Sequence, residues 1–144
     1  MIHSQNTNSQ VLIVPISVSS QTIVSGTVDT LGWDYAVFKA IQDTAAATSS
    51  NPITWQLSEG AATNSFATWT GSVGDTGFTI GTVSTSLGNI HEIQVNLATR
   101  KRYIAAELMS GGATTLSACT VTFYRGKEPP TTAAGKGLAT FAIA

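Results

Sequence analysis

The sequence predicts an all-β domain, an antiparallel β-sandwich of jelly-roll type, and three observations predict it. Apolar and polar residues alternate with a period of two in several separate stretches, turn signals punctuate them at short intervals, and no stretch sustains a helical stripe. Short strands separated this densely build sandwiches, jelly rolls and small barrels. At 144 residues and 42% hydrophobic content the chain has enough apolar material for one core.

Taken in order, residues 1–10 are polar and read as a flexible N-terminal arm, ahead of a sandwich domain over 11–128. Val11 to Ser19 is mostly β-branched and reads as a strand. Pro15, which has no N–H to donate to a ladder, assigns that strand to a sheet edge or a bulge. Trp33 and Tyr35 are expected to share one strand face. Tyr35 to Ala47 contains helix formers, but its Val-Phe-Lys-Ala-Ile centre fits a strand, and a strand is expected. Ile53, Trp55 and Leu57 alternate with Thr54, Gln56 and Ser58, a half-buried strand that places Trp55 in the core. Ala61 to Trp69 offers Asn64 as a helix cap with nothing periodic after it, and is expected to be a loop.

Ile93, Val95 and Leu97 alternate with Glu92, Gln94 and Asn96; Cys119, Val121 and Phe123 alternate with Thr120, Thr122 and Tyr124. The turns between strands include Ser25-Gly26, Glu59-Gly60, Gly74-Asp75-Thr76-Gly77, Leu87-Gly88-Asn89 and Ser110-Gly111-Gly112. After Pro129-Pro130 a C-terminal tail, 129–144, closes on the apolar run Leu138 to Ala144. This run is expected to dock as a last strand on its own domain or on a neighbouring subunit's sheet edge.

Composition removes several function classes. Charged residues are only 10% of the chain, the net charge is −1 and the pI is near 6.0, which leaves no electrostatic footprint for nucleic acid. Ser and Thr supply about a quarter of the chain, so the surface is polar mainly through hydroxyls. Such side chains lose little rotamer entropy when a partner covers them. No apolar run reaches bilayer-spanning length, and the first ten residues lack the pattern of a secretion signal. No membrane or nucleic-acid partner is expected.

No catalytic set is legible. His3 and His91 are the only near-neutral acid–base side chains, and His91 and its neighbour Glu92 point to opposite faces of a strand. Cys119, the single cysteine, lies in a strand and reads as a buried thiol. Asp29 and Asp75 sit before Thr-Leu-Gly and Thr-Gly, as turn aspartates that bond local backbone. No His/Cys cluster, calcium loop or phosphate loop is present, so neither an enzyme activity nor a cofactor nor a metal is expected.

Candidate contact residues are therefore aromatic, basic or terminal. Trp33, Tyr35 and Trp69 read as core or subunit contacts, with stacking on sugar rings as the alternative, which would make the chain a carbohydrate-binding module. Arg100, Lys101 and Arg102 form the one basic cluster, a solvated strand entrance or a contact patch. Leu138, Phe141 and Ile143 are the large side chains of the terminal run.

Three short pieces carry a family likeness: Val28-Asp-Thr-Leu-Gly-Trp-Asp-Tyr-Ala36, Ile53-Thr-Trp-Gln-Leu-Ser-Glu59 and Thr99-Arg-Lys-Arg-Tyr-Ile104. In this order, over residues 24–130, the chain resembles small cement or decoration proteins of tailed-bacteriophage capsids. The run Leu138 to Ala144 departs from that pattern. The resemblance implies a β-sandwich on the outside of an icosahedral head, assembled in the host cytoplasm. It further implies a homo-oligomer, a trimer above all, that bridges major capsid protein subunits. A head-fibre or tail component of the same virion is the alternative.

Overall fold

A computed structural model describes residues 6–19, 22–44, 52–84 and 86–126. Among the described residues eight strands form: β1 (Thr7–Val18), β2 (Val24–Asp29), β3 (Tyr35–Gln42), β4 (Pro52–Ala62), β5 (Ser65–Val73), β6 (Asn89–Asn96), β7 (Tyr103–Ser110) and β8 (Thr115–Tyr124). They build two antiparallel four-stranded sheets, ordered β1-β8-β3-β6 and β2-β7-β4-β5. The pairs β1·β8, β2·β7, β3·β6 and β4·β5 are nested about the chain's midpoint. That nesting is the jelly roll, in which a folded ribbon of paired strands wraps into two facing sheets.

The alternation read from the sequence sets which residues face inward. Ala36, Phe38 and Ala40 from β3 meet Cys119, Val121 and Phe123 from β8 and Ile93 and Val95 from β6. From the other sheet, Trp55 and Leu57 of β4 and Ile104, Ala106 and Leu108 of β7 close the layer. Trp55, Phe38 and Phe123 are the largest fully buried side chains, so the inter-sheet space is filled by aromatic volume. Cys119 is buried among them as a free thiol.

Pro15 lies on β1, an edge strand, inside a register irregularity between Ile13 and Ile16. Both outcomes follow from its missing N–H. On the opposite sheet β2 is an edge, and Gly26 brings it against β1: a Cβ there would collide with the Leu12 carbonyl oxygen. The sandwich is therefore closed tightly along its β1/β2 side.

Several expectations change. Ser25-Gly26 and Glu59-Gly60, read as turns, lie inside β2 and β4, where glycine serves close backbone approach rather than chain reversal. β1 begins at Thr7, so residues 7–10 belong to the sheet rather than to an arm; Ser9 pairs with Thr122 through both backbone register and hydroxyls 3.2 Å apart. Ala61 to Trp69 is a hairpin, not a loop: β4 runs to Ala62 and β5 starts at Ser65. A register irregularity between Glu59 and Ala62 breaks the period-two signal there, and glycine at position 60 admits the Ser65 carbonyl. Trp33 and Tyr35 do not share a face. Trp33 precedes β3 and turns inward onto Phe123, whereas Tyr35 points outward and bonds Gln94. Residues 1–5 and 127–144, including Leu138, Phe141 and Ile143, lie outside the described residues.

Candidate functional site

The two outer faces differ in chemistry. On the β2-β7-β4-β5 sheet, Gln56 Nε2 donates to Glu107 Oε2 at 2.6 Å and Ser58 Oγ donates to Glu107 Oε1 at 3.2 Å. These two bonds tie β4 to β7 across that face. On the β1-β8-β3-β6 sheet, cross-strand register groups the outward residues into rows. One row joins Asn96, Tyr35, Tyr124 and Thr7; the next joins Gln94, Val37, Thr122 and Ser9; a third joins Glu92, Lys39, Thr120 and Val11. The last row is Ile90, Ile41 and Ala118, which β1 extends toward Pro15.

This last row is apolar and open to solvent. Ile90 is 65% exposed, Ile41 40% and Leu116, next to Ala118 along the face, 48%. A groove of about 320 Å³ runs here between Pro15, Ile41, Gly88 and Leu116. Leu87 and Val14, 70% and 65% exposed, stand at the same end of the sheet. Scattered exposed apolar residues are ordinary, but a contiguous row across a sheet is the mark of an interaction surface. Covering each such side chain contributes about 1–3 kcal/mol in proportion to the area removed from water.

Strand parity in the sequence carries a signal for this surface. Ile90 has the parity of Glu92, Gln94 and Asn96, and Ile41 has the parity of Lys39, so each is an apolar residue on the polar side of an alternating strand.

The aromatic and basic contact candidates among the described residues gather at the other end of the molecule. Asp29 and Thr30, Glu59, and Arg100 to Arg102 come from three separate stretches of the sequence, and they meet there. Arg102 bonds both Asp29 oxygens, and its carbonyl accepts from the Thr30 hydroxyl at 2.8 Å. Glu59 accepts from the Lys101 backbone N–H at 2.9 Å and lies 3.8 Å from the Arg100 guanidinium. Arg100 also sits over the Trp69 ring, 4.9 Å from its centroid. The basic cluster is thus largely spent on internal partners. Hydrogen bonding by Arg102 holds the Asp29 carboxyl below its usual range.

Trp33 closes the same end, its ring 5.6 Å from that of Phe123 and packed against Gly126. It acts as a lid on the core. The Tyr35 hydroxyl donates to Gln94 Oε1 at 2.9 Å on the outer face. Trp69, half-buried on β5, faces a cleft of about 240 Å³ that it shares with Gln94, Asn96, Thr99 and Arg100.

Candidate chemistry elsewhere resolves into local structure. Asp75 adopts a positive φ of 60° and its Oδ1 accepts from the Ile80 N–H at 2.9 Å, while Asp29 Oδ1 accepts from Leu31 N–H at 3.0 Å. Both are turn aspartates. Burial lowers the His91 pKa and pushes the Cys119 thiol up to about 12, which disfavours its thiolate. Among the described residues no three His, Cys, Asp or Glu side chains cluster as metal ligands would, and no helix is long and apolar enough to cross a membrane.

A scan against protein-family models finds no match for the chain, and a search of curated proteins finds no similar one.

Proposed function

We propose that this chain is a structural virion protein, a cement or decoration protein that binds the outside of a phage capsid and bridges major capsid subunits. The observation that carries this reading is the solvent-facing apolar row Ile90–Ile41–Ala118 with Leu116 beside it. A jelly roll that leaves one end of an outer sheet face apolar and open is suited to being covered by protein. Support also comes from the three motif pieces, which meet in one corner of this fold and resemble those of capsid decoration proteins. Thr120, Thr122, Ser9 and Thr7 further along the same face offer hydroxyls over which the contact can extend at low entropic cost. A homo-oligomer, as a trimer above all, multiplies shallow contacts so that lattice binding becomes tight through multivalency.

The test mixes the purified chain with particles of the same virus assembled without it. Saturable binding at defined lattice positions, with a raised disassembly temperature, is the expected result. Ile90→Glu or Leu116→Glu lowers that binding by ten-fold or more while the free protein keeps its fold. Absence of binding, or full binding by both variants, overturns the reading.

A further inference from the structure

We propose that the cleft between the β5 and β6 edges binds a single uncharged sugar ring. The two sheets are sealed together on their β1/β2 side by the Gly26–Leu12 approach, but on the other side they part. The resulting opening of about 240 Å³ has Ile93 and Val95 at its base and Trp69, Gln94, Asn96, Thr99 and Arg100 on its walls. It falls below the 300–1,000 Å³ range of drug-sized pockets and fits one ring.

The wall chemistry selects a polyol. A pyranose presents an apolar C–H face and a rim of hydroxyls, and it is matched by an aromatic ring beside planar, multidentate hydrogen-bonding groups. Here Trp69 lines the opening together with Arg100, Gln94, Asn96 and Thr99, residue types that bring a guanidinium, two amides and a hydroxyl to its rim, with the Thr99 hydroxyl accepting from Arg100 at 3.4 Å. An anion is disfavoured because the Arg100 charge is already met by Glu59 at 3.8 Å, with only 15% of that glutamate side chain exposed.

The polar groups are also held in place before any ligand arrives. Arg100 is pinned between Glu59 and the Trp69 ring, yet a guanidinium carries five N–H donors. Gln94 is fixed from both ends, by the Tyr35 hydroxyl at 2.9 Å and by Glu92 at 2.6 Å. Asn96 is fixed through its oxygen, which caps the 3-10 turn Leu97–Thr99 by accepting from the Ala98 N–H at 3.0 Å, and it keeps its amide donors. Pre-set donors reduce the ordering cost of binding. With one ring and a shallow site, the dissociation constant falls at about the millimolar level.

This inference does not rest on capsid binding. The cleft lies on the lateral edge of the sandwich, not on the apolar outer row, so each can fail without the other. The experiment titrates the full isotope-labelled chain with glucose, galactose, mannose and N-acetylglucosamine, and separately with sodium sulfate. At least one sugar is expected to give saturable shifts at the Trp69 indole N–H and at Asn96 and Thr99. Gln94→Ala, at an exposed position, and Trp69→Phe weaken that response five-fold or more with the remaining spectrum unchanged. The proposal is overturned if no sugar shifts these signals, if the shifts centre on Trp33, if sulfate gives the stronger saturable response, or if both variants bind as the parent does.

Discussion

Asp29 and Arg102 form a two-point ion pair, Nε to Oδ1 at 3.0 Å and Nη2 to Oδ2 at 2.6 Å, between residues 73 positions apart in the chain. The pair bridges the end of β2 to the start of β7, whose backbones are already in register at Asp29 and Tyr103. It therefore fixes a corner whose main-chain pairing is independent of it. Because both side chains are largely exposed, the gain is small and screened by salt. Asp29→Asn should lower the melting temperature slightly at low salt and by less at high salt, and Arg102→Met added to it should cost little more. Additive losses in the double variant would contradict the pairing.

Acid should weaken the fold in two stages. Burial holds the His91 pKa below 6.5, so the unfolded chain takes up that proton first. Stability is full above pH 6.5 and falls as pH drops through this value toward the folded pKa. Asp29 and Glu92 are held below 3.8 and 4.5, first by hydrogen bonds from Arg102 and Gln94 respectively. Their contribution is present above those values and is lost as pH falls through the folded ones. Urea midpoints measured against pH should show both stages, and His91→Gln should remove the upper one alone.

Cys119 should be inert in the folded protein. Its thiol is buried and its pKa is pushed up to about 12, so iodoacetamide at pH 8 has neither access nor thiolate. Labelling should be slow in buffer and complete in denaturant. Rapid labelling without unfolding would place the thiol elsewhere.

The apolar row should be separable from stability. Ile90→Glu and Leu116→Glu alter exposed positions, where substitutions shift stability by about 0.5 kcal/mol or less. Both should fold as the parent does and elute earlier from a hydrophobic-interaction column. Phe38→Ala, by contrast, empties a fully buried site and should cost roughly 3–5 kcal/mol in a chemical denaturation series.

Gly26 should tolerate no side chain. A glycine in a strand normally gains from replacement by alanine, since alanine loses less backbone entropy on folding. Here the added methyl meets the Leu12 carbonyl, so Gly26→Ala should destabilise, whereas Gly81→Ala, with open space around it, should not. Equal melting temperatures for the two variants would count against the tight β1/β2 closure.

Much of the fold was legible because a strand with one buried face writes its orientation into a local, two-residue period. Trp55, Phe123 and Cys119 could be placed in the core from their neighbours alone, and Pro15 announced an edge through its missing donor. The β4–β5 hairpin was not legible, because the irregularity between Glu59 and Ala62 shifts the phase and hides the continuation of the strand. The apolar surface was half-written: Ile90 and Ile41 violate their strands' polar parity, but only register shows that they are neighbours.

The chain by itself determined the fold class, the inward residues of most strands and the scarcity of acid–base side chains, since all of these depend on residue type and nearest neighbours. Tertiary structure alone decided three things. It set the strand order within the two sheets, brought Asp29, Glu59 and Arg100–Arg102 into one corner, and aligned Ile90, Ile41 and Ala118 in a single exposed row. The reason is that pairing between strands far apart in sequence is set by backbone hydrogen bonds and sheet packing over the whole domain, and no local pattern encodes which strand will lie beside which.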